Sequence, residues 1–230
     1  MTLRLGGLVP WSSVDYPGHQ AAVLFCAGCP WRCRYCHNTH LWDSHSQISW
    51  PEVETFLAKR HGLLDAVVFS GGEPLAQSAA VRSALIAIRK AGFGTAIHTA
   101  GVSPRRFAQI LPLVDWVGLD VKAPFSRYAA ITQYRRSQDA ARESIRMLLA
   151  SGTPYELRTT VHPALLSSHD LITLVTELVE LGAHHLTLKD FRPNGCEDTK
   201  LNSSYESWLT PQLRCDLLAL MPAITLPSTP

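Results

Sequence analysis

A chain of 230 residues can bury roughly 70–75% of the surface it exposes when unfolded, so it needs no disulfides for stability. Nowhere do about 18 apolar residues run together, so no membrane-spanning helix is expected, and the formal charge of +2 without a clustered basic stripe argues against nucleic acid. The N-terminus lacks the basic start and apolar stretch of a signal peptide, so the chain is expected in the cytoplasm, where thiols stay reduced.

Strand and helix patterns alternate along the chain. His19–Phe25 is a short apolar strand leading into a cysteine-rich loop. Pro51–His61 reads as a helix with Ser49 as a plausible N-cap. Asp65–Ser70 is a β-branched strand closed by Gly71-Gly72, and Leu75–Ala91 is a helix whose buried side is marked by Leu85, Ile86 and Ile88, ended by Gly92. Phe93–Thr99 is the next strand, followed by a helix opened by Ser103-Pro104. Asp115–Val121 is a strand, and a helix centred on Ala140–Leu149 stops at Gly152. Tyr155–Val161 (strand), Ser167–Leu181 (helix), His184–Leu188 (strand) and Thr210–Leu220 (helix) complete the series, and the tail Leu226–Pro230 is expected to fray.

Six βα units with continuous apolar strands predict a parallel sheet covered by helices. Eight units would close a full barrel, so the expected architecture is α/β, a partial open (β/α)6 TIM-like barrel. No long polar linker interrupts it, and residues 1–230 are taken as one domain. The basic stretch Arg127 to Arg146 reads first as a solvated helix face, with a docking surface as the other reading.

In such folds, functional side chains collect at the C-terminal ends of the strands. Distinctive residues occur there in every unit. The cysteine loop follows the first strand, Ser70-Gly71-Gly72-Glu73-Pro74 the second and His98-Thr99-Ala100-Gly101 the third. Asp120 and Lys122 close the fourth, Arg158 lies on the fifth and Asp190-Phe191-Arg192 follow the sixth. One pocket is expected to gather them.

Four of six cysteines, Cys26, Cys29, Cys33 and Cys36, fall within eleven residues. Disulfides at that spacing would be strained, and thiolates bunched in a cytosolic chain read as metal ligands. A structural zinc site normally uses two knuckles a dozen or more residues apart, whereas one tight loop suits an iron–sulfur cubane. Three thiols leave one iron open to a substrate; four saturate the cluster. Cys26 reads as a buried small hydrophobe, with a spare ligand or redox thiol as other readings. Cys196 and Cys215 are expected to be inert buried thiols.

The spacing Cys29-x3-Cys33-x2-Cys36, with aromatic Tyr35 before the last cysteine, resembles the cluster motif of the radical S-adenosylmethionine (SAM) superfamily, and Gly71-Gly72-Glu73-Pro74 resembles its glycine-rich turn. Within it the chain is similar to the activating enzymes of glycyl radical enzymes, especially that of anaerobic ribonucleoside-triphosphate reductase, through Gly7 to Gly18, Phe25 to Asn38, Phe69 to Pro74, Gly118 to Pro124 and Arg158 to Val161. The resemblance implies one oxygen-sensitive [4Fe-4S] cluster held by Cys29, Cys33 and Cys36, and SAM chelated to the open iron. It implies reductive cleavage of SAM to a 5′-deoxyadenosyl radical that takes a hydrogen atom from a glycine of a partner protein, with reduced flavodoxin or a ferredoxin-type protein as electron donor. Tyr35 would pack at the adenine. Gly71, Gly72 and Glu73 would address the methionine amino end, and Asp120, Lys122 and Arg158 its carboxylate and the ribose. Where many activating enzymes carry Asp-Thr-Asn-Gly, this chain has His98-Thr99-Ala100-Gly101; His98 exchanges hydrogen bonds but is no permanent carboxylate, and it reads equally as a core histidine. About 35 cysteine-free residues separate Cys36 from Gly71, so no second cluster fits there. The other readings are a radical SAM enzyme acting on a small molecule, and a non-catalytic electron-transfer iron–sulfur protein or zinc-stabilised binding module.

Overall fold

The computed structural model describes residues 2–42, 45–202 and 207–227; the last three residues of the expected frayed tail lie outside them. Seven strands form one open sheet in chain order: β1 (Leu5–Ser12), β2 (Ala21–Cys26), β3 (Ala66–Gly71), β4 (Gly94–Thr99), β5 (Trp116–Asp120), β6 (Tyr155–Val161) and β7 (Thr187–Asp190). β2 to β7 are parallel neighbours, and β1 is added antiparallel to β2. The six parallel strands are the six expected.

β1 is additional. Its Gly6-Gly7 pair and Pro10 hide a strand from a reading of periodicity, and Pro10 is tolerated because β1 is an edge strand. The last strand begins three residues later than expected, because Thr187 is the first residue in register with Arg158 of β6.

Among the described residues seven α-helices cover the sheet, six between strands and the last after β7: α1 (Trp50–Ala58), α2 (Ser78–Lys90), α3 (Pro104–Ile110), α4 (Tyr128–Thr132), α5 (Ser137–Ser151), α6 (Ser168–Glu180) and α7 (Pro211–Leu220). Local sequence explains their ends. Ser49 and Glu52 form a capping box at α1, Ser167 and Asp170 another at α6, and α5 stops at left-handed Gly152. The stretch expected as one helix from Leu75 begins with a 3-10 turn, Pro74–Gln77, before α2. The buried stripe of α2 is Val81, Ala84, Leu85 and Ile88, so Ile86, 43% exposed, is corrected to the outer side. It sits one position, about 100°, off that stripe.

Strand alternation sorts the side chains into two layers. Leu24, Val67, Phe69, Ile97, Val117, Leu119, Leu157 and Val161 face outward and join the helices in the main core. A fully buried Phe69 or Leu85 stabilises the fold by roughly 1.5–3 kcal/mol. The inner face starts apolar, with Ala21, Val23, Ala66, Val68, Ala96 and Trp116 packed under Tyr16 from the β1–β2 loop. Two residues further along β3 and β4 it turns polar, with Ser70 and His98, and on β5 it does so past Gly118, with Asp120. That change of polarity locates the site.

Candidate active site

The cysteine loop leaves β2 at Cys26 and is pinned from both sides. Gly28 N–H donates to the Leu41 carbonyl (2.7 Å), and Arg32 and Arg34 N–H donate to the carbonyls of Thr132 and Ile131 (3.0 and 3.1 Å). The β3 turn closes on the loop: Gly72 N–H donates to the Cys26 carbonyl (2.8 Å) and Glu73 N–H to that of Gly28 (2.9 Å). A Cβ on Gly71 would stand 2.6 Å from Cys26 N, and one on Gly72 2.5 Å from the Gly28 oxygen. The glycine pair is therefore required by the approach of turn to loop, before any ligand is considered.

A cavity of about 230 Å³ opens above the polar inner face, lined by Cys29, Cys33, Tyr35, Cys36, Gly71, Gly72, Glu73, His98, Thr99, Asp120, Lys122 and Arg158. Every residue expected to bind cluster or SAM borders this one space. Asp190, Phe191 and Arg192 do not: Asp190 accepts from Trp208 Nε1 at 2.7 Å, and Phe191 packs edge-on to His37 and His162. Cys26 is fully buried in the main core outside the cavity lining, as a small hydrophobe would be. Cys196 is buried, but Cys215 is exposed, which corrects the expectation for it. On α7 the buried residues are Leu213 and Leu217, so Cys215, midway between them, points away.

Ser70 and Ala100 of the strand-end segments and Trp31, His37 and Asn38 of the cysteine loop border it too, and so do Trp42 and Thr160, which the sequence reading did not single out. Thr160 could have been found, since it lies two residues past Arg158 and shares its face. Trp42 carries no such signal.

Ionised groups are arranged in a definite order. Asp120 receives Lys122 Nζ on one oxygen (3.0 Å) and Arg158 Nε on the other (3.1 Å). Burial alone would raise the Asp120 pKa, but Lys122 and Arg158 outweigh it and hold the carboxyl well below its usual range. Lys122, although buried, is held well above its ordinary value by Asp120, and its ammonium lies 5.6 Å from the Tyr35 ring. Arg158 also approaches His98 (3.4 Å), whose Nε2 lies 2.7 Å from the Asp15 carbonyl. Burial and the Arg158 charge lower the His98 pKa, so the ring is neutral at pH 7.

Glu73 is 1% exposed, and its carboxylate accepts from Thr99 Oγ1 (2.6 Å), Leu75 N (2.9 Å) and Ala100 N (2.9 Å). It ties the glycine turn to the end of β4. Burial still raises its pKa, with those three hydrogen bonds opposing.

Burial pushes the Cys29 thiol up to about 12, with the Glu73 charge adding, and the Cys33 thiol up to about 11, with Lys122 opposing. Such thiols ionise at neutral pH when a metal displaces the proton. Among the described residues no three His, Cys, Asp or Glu side chains converge closely enough to hold a single ion; the thiols border a wider space instead. The Tyr35 hydroxyl and His37 Nε2 are buried in its wall without hydrogen-bond partners. A soft three-thiol donor set bordering a cavity with two unsatisfied polar atoms fits an iron–sulfur cluster with a polar ligand beside it.

A sequence model of the Radical SAM superfamily matches residues 23–170, a span that holds the three cysteines, the glycine turn, Asp120, Lys122 and Arg158. The chain belongs to that superfamily. This radical SAM enzyme accordingly uses a [4Fe-4S] cluster and SAM. It is 28% identical over 204 residues to a Methanocaldococcus jannaschii protein provisionally classed as a glycyl-radical enzyme activating enzyme, covering 86% of this chain and 84% of that one. It is 34% identical over 125 residues to the pyruvate formate-lyase-activating enzyme of Clostridium pasteurianum, and spans 52% of that protein's length. Among solved structures, Streptococcus suis SuiB bound to its precursor peptide SuiA superposes with a TM-score of 0.68 over 90% of this chain and 48% of that one. At 15% identity that likeness concerns the fold, the partial barrel expected from the sequence. No described helix is long and apolar enough to cross a membrane.

Proposed function

We propose that this radical SAM enzyme activates a glycyl radical enzyme, working anaerobically in the cytoplasm on a protein partner such as anaerobic ribonucleoside-triphosphate reductase. The observation that carries the reading is the match, along 86% of this chain, to a protein provisionally classed as a glycyl-radical enzyme activating enzyme. The open sheet supports it: β1 and β7 form separate edges, so a polypeptide loop can approach the cavity from the C-terminal ends of the strands.

In this reading Cys29, Cys33 and Cys36 would hold the cluster, and with three protein thiols one iron would be left for SAM. When bound, the cluster supplies the electron that cleaves SAM homolytically, and a flavodoxin or ferredoxin-type protein is the proposed reductant. The protein's own groups bind and orient. Lys122 and Arg158 present positive charge toward the SAM carboxylate, while Asp120 holds both cations in place and faces the ribose. The glycine turn, fixed by the Glu73 carboxylate, offers its backbone to the methionine amino end. Tyr35 closes the adenine side, and the apolar inner layer beneath keeps water from the reacting atoms. His98 stays neutral and holds the β1–β2 loop through the Asp15 carbonyl.

The test is electron paramagnetic resonance after the reduced, SAM-loaded enzyme is mixed with a candidate glycyl radical protein. A glycine-centred doublet, absent when the partner glycine is replaced by alanine, supports the reading. SAM cleavage that yields no protein radical with any such partner contradicts it and favours a small-molecule substrate.

A further inference from the structure

Beyond β7, and outside the stretch matched by the superfamily model, residues 191–201 lie against the cysteine loop. Besides the edge-on packing of Phe191 on His37, four contacts join them. Arg34 donates from Nε (3.1 Å) and Nη2 (2.9 Å) to one oxygen of Asp198. The Cys196 thiol donates to the Arg34 carbonyl (3.4 Å), and the Thr39 hydroxyl donates to the Gly195 carbonyl (3.3 Å). Gly195, at φ +81°, fits so closely on the His37 carbonyl that any Cβ there would overlap it.

These contacts fall on Arg34, His37 and Thr39, which bracket Cys36 in sequence. None of residues 193–198 borders the cofactor cavity, so the segment supports the loop from behind. The segment is itself anchored. The other Asp198 oxygen accepts Lys200 N–H (3.2 Å) and caps the 3-10 turn Thr199–Leu201, while the Leu201 carbonyl lies 3.1 Å from His162 Nε2 at the end of β6. On the loop's opposite flank, the Arg32 and Arg34 amides are fixed to the end of α4. The loop is gripped between two elements.

The geometry points to residues 191–201 as a brace that presets the cysteine loop for its cluster, with Asp198 as the positioning residue acting through Arg34. The inference rests on the reading that Cys29, Cys33 and Cys36 are the cluster ligands. Groups that orient metal ligands from outside are worth typically about 10–100-fold in metal affinity, and a loop held in shape beforehand does not have to be ordered by the metal.

The test uses Asp198→Ala, Arg34→Ala and the double variant in two measurements. The first is hydrogen–deuterium exchange of the metal-free full chain; the second is anaerobic iron release from the reconstituted enzyme to a ferrous chelator. The brace predicts faster exchange confined to residues 33–39, iron release about 10–100-fold faster, a double variant no worse than either single one, and partial recovery in Asp198→Glu. Wild-type exchange and release in both single variants would overturn it, as would exchange rising equally across β2 to β7. Should Asp198→Ala fail to fold, Thr39→Ala and Arg34→Gln put the same question. If the wild-type chain takes up no iron, the ligand reading fails, while exchange in the metal-free loop still decides the brace.

Discussion

Arg158 places its Nη2 3.0 Å from Asp120 Oδ1, so a cation on β6 is locked to a carboxylate on the neighbouring strand, beneath the cavity that the cysteines border. Lys122 takes the second oxygen, and both cations keep only 13–14% of their side-chain surface exposed. Asp120→Asn would leave two buried positive charges without their counterion. Removing one member of a buried pair costs about 3–5 kcal/mol, and since Asp120 is itself partly exposed we expect the lower end, about 3 kcal/mol. Chemical denaturation of the metal-free protein at neutral pH measures it.

The same carboxylate sets a pH dependence. Its folded pKa is depressed below the unfolded value of about 3.9, so its contribution is present above that pH and is lost as pH falls through the lower, folded pKa. Between pH 5 and pH 3 the melting temperature of the metal-free wild type should therefore fall more steeply than that of Asp120→Asn. Parallel curves for the two proteins would contradict the assignment.

Thr99 donates to buried Glu73 at 2.6 Å and accepts Gly101 N–H at 3.0 Å. Thr99→Val keeps the shape and removes both bonds, leaving Glu73 short of a donor at a cost of about 1–3 kcal/mol. Because Glu73 ties the glycine turn to β4, SAM affinity measured by calorimetry should weaken along with stability.

Gly118 sits on the inner face of β5, where a Cβ would stand 2.9 Å from both Arg158 Cζ and His98 Cδ2. Gly118→Ala should push these side chains apart and destabilise the protein by about 1–3 kcal/mol through overpacking. A thermal melt checks this, and unchanged stability would mean that the two side chains have room to yield.

Gly118 also marks what a sequence reading passes over. Its neighbours in Asp115–Val121 read as a strand, but a glycine within one signals a close approach whose partners, Arg158 and His98, lie 40 and 20 positions away. Short-range signals were legible: alternating strands and helices, the Ser49 cap, and the cysteine spacing. Convergence of five strand ends on one cavity followed from topology, because parallel strands bring their C-terminal ends together.

Long-range bonds were not legible. Glu73, expected at the ligand, is held by Thr99 and Ala100, and the Arg34–Asp198 pair joins residues 164 positions apart. β1 was missed because its glycines and proline contradict strand propensity, and only pairing with β2 compensates for them. Cys215 was misplaced because a lone thiol carries no periodicity of its own.

Cys26 separates three-thiol from four-thiol ligation. It is buried among Leu5, Leu24 and their neighbours, outside the cavity lining, so Cys26→Ala should keep its iron and sulfide and lose on the order of 1 kcal/mol of stability. Alanine at Cys29, Cys33 or Cys36 should abolish cluster assembly, as iron and sulfide analysis after anaerobic reconstitution would reveal.

The most direct measurement is the yield of 5′-deoxyadenosine when the reconstituted enzyme is reduced with SAM present, in the wild type and in these four variants. The account predicts product from the wild type and from Cys26→Ala, and none from the other three. A wild type that carries its cluster but releases no 5′-deoxyadenosine, or a Cys26→Ala variant that can no longer hold the cluster, would contradict it.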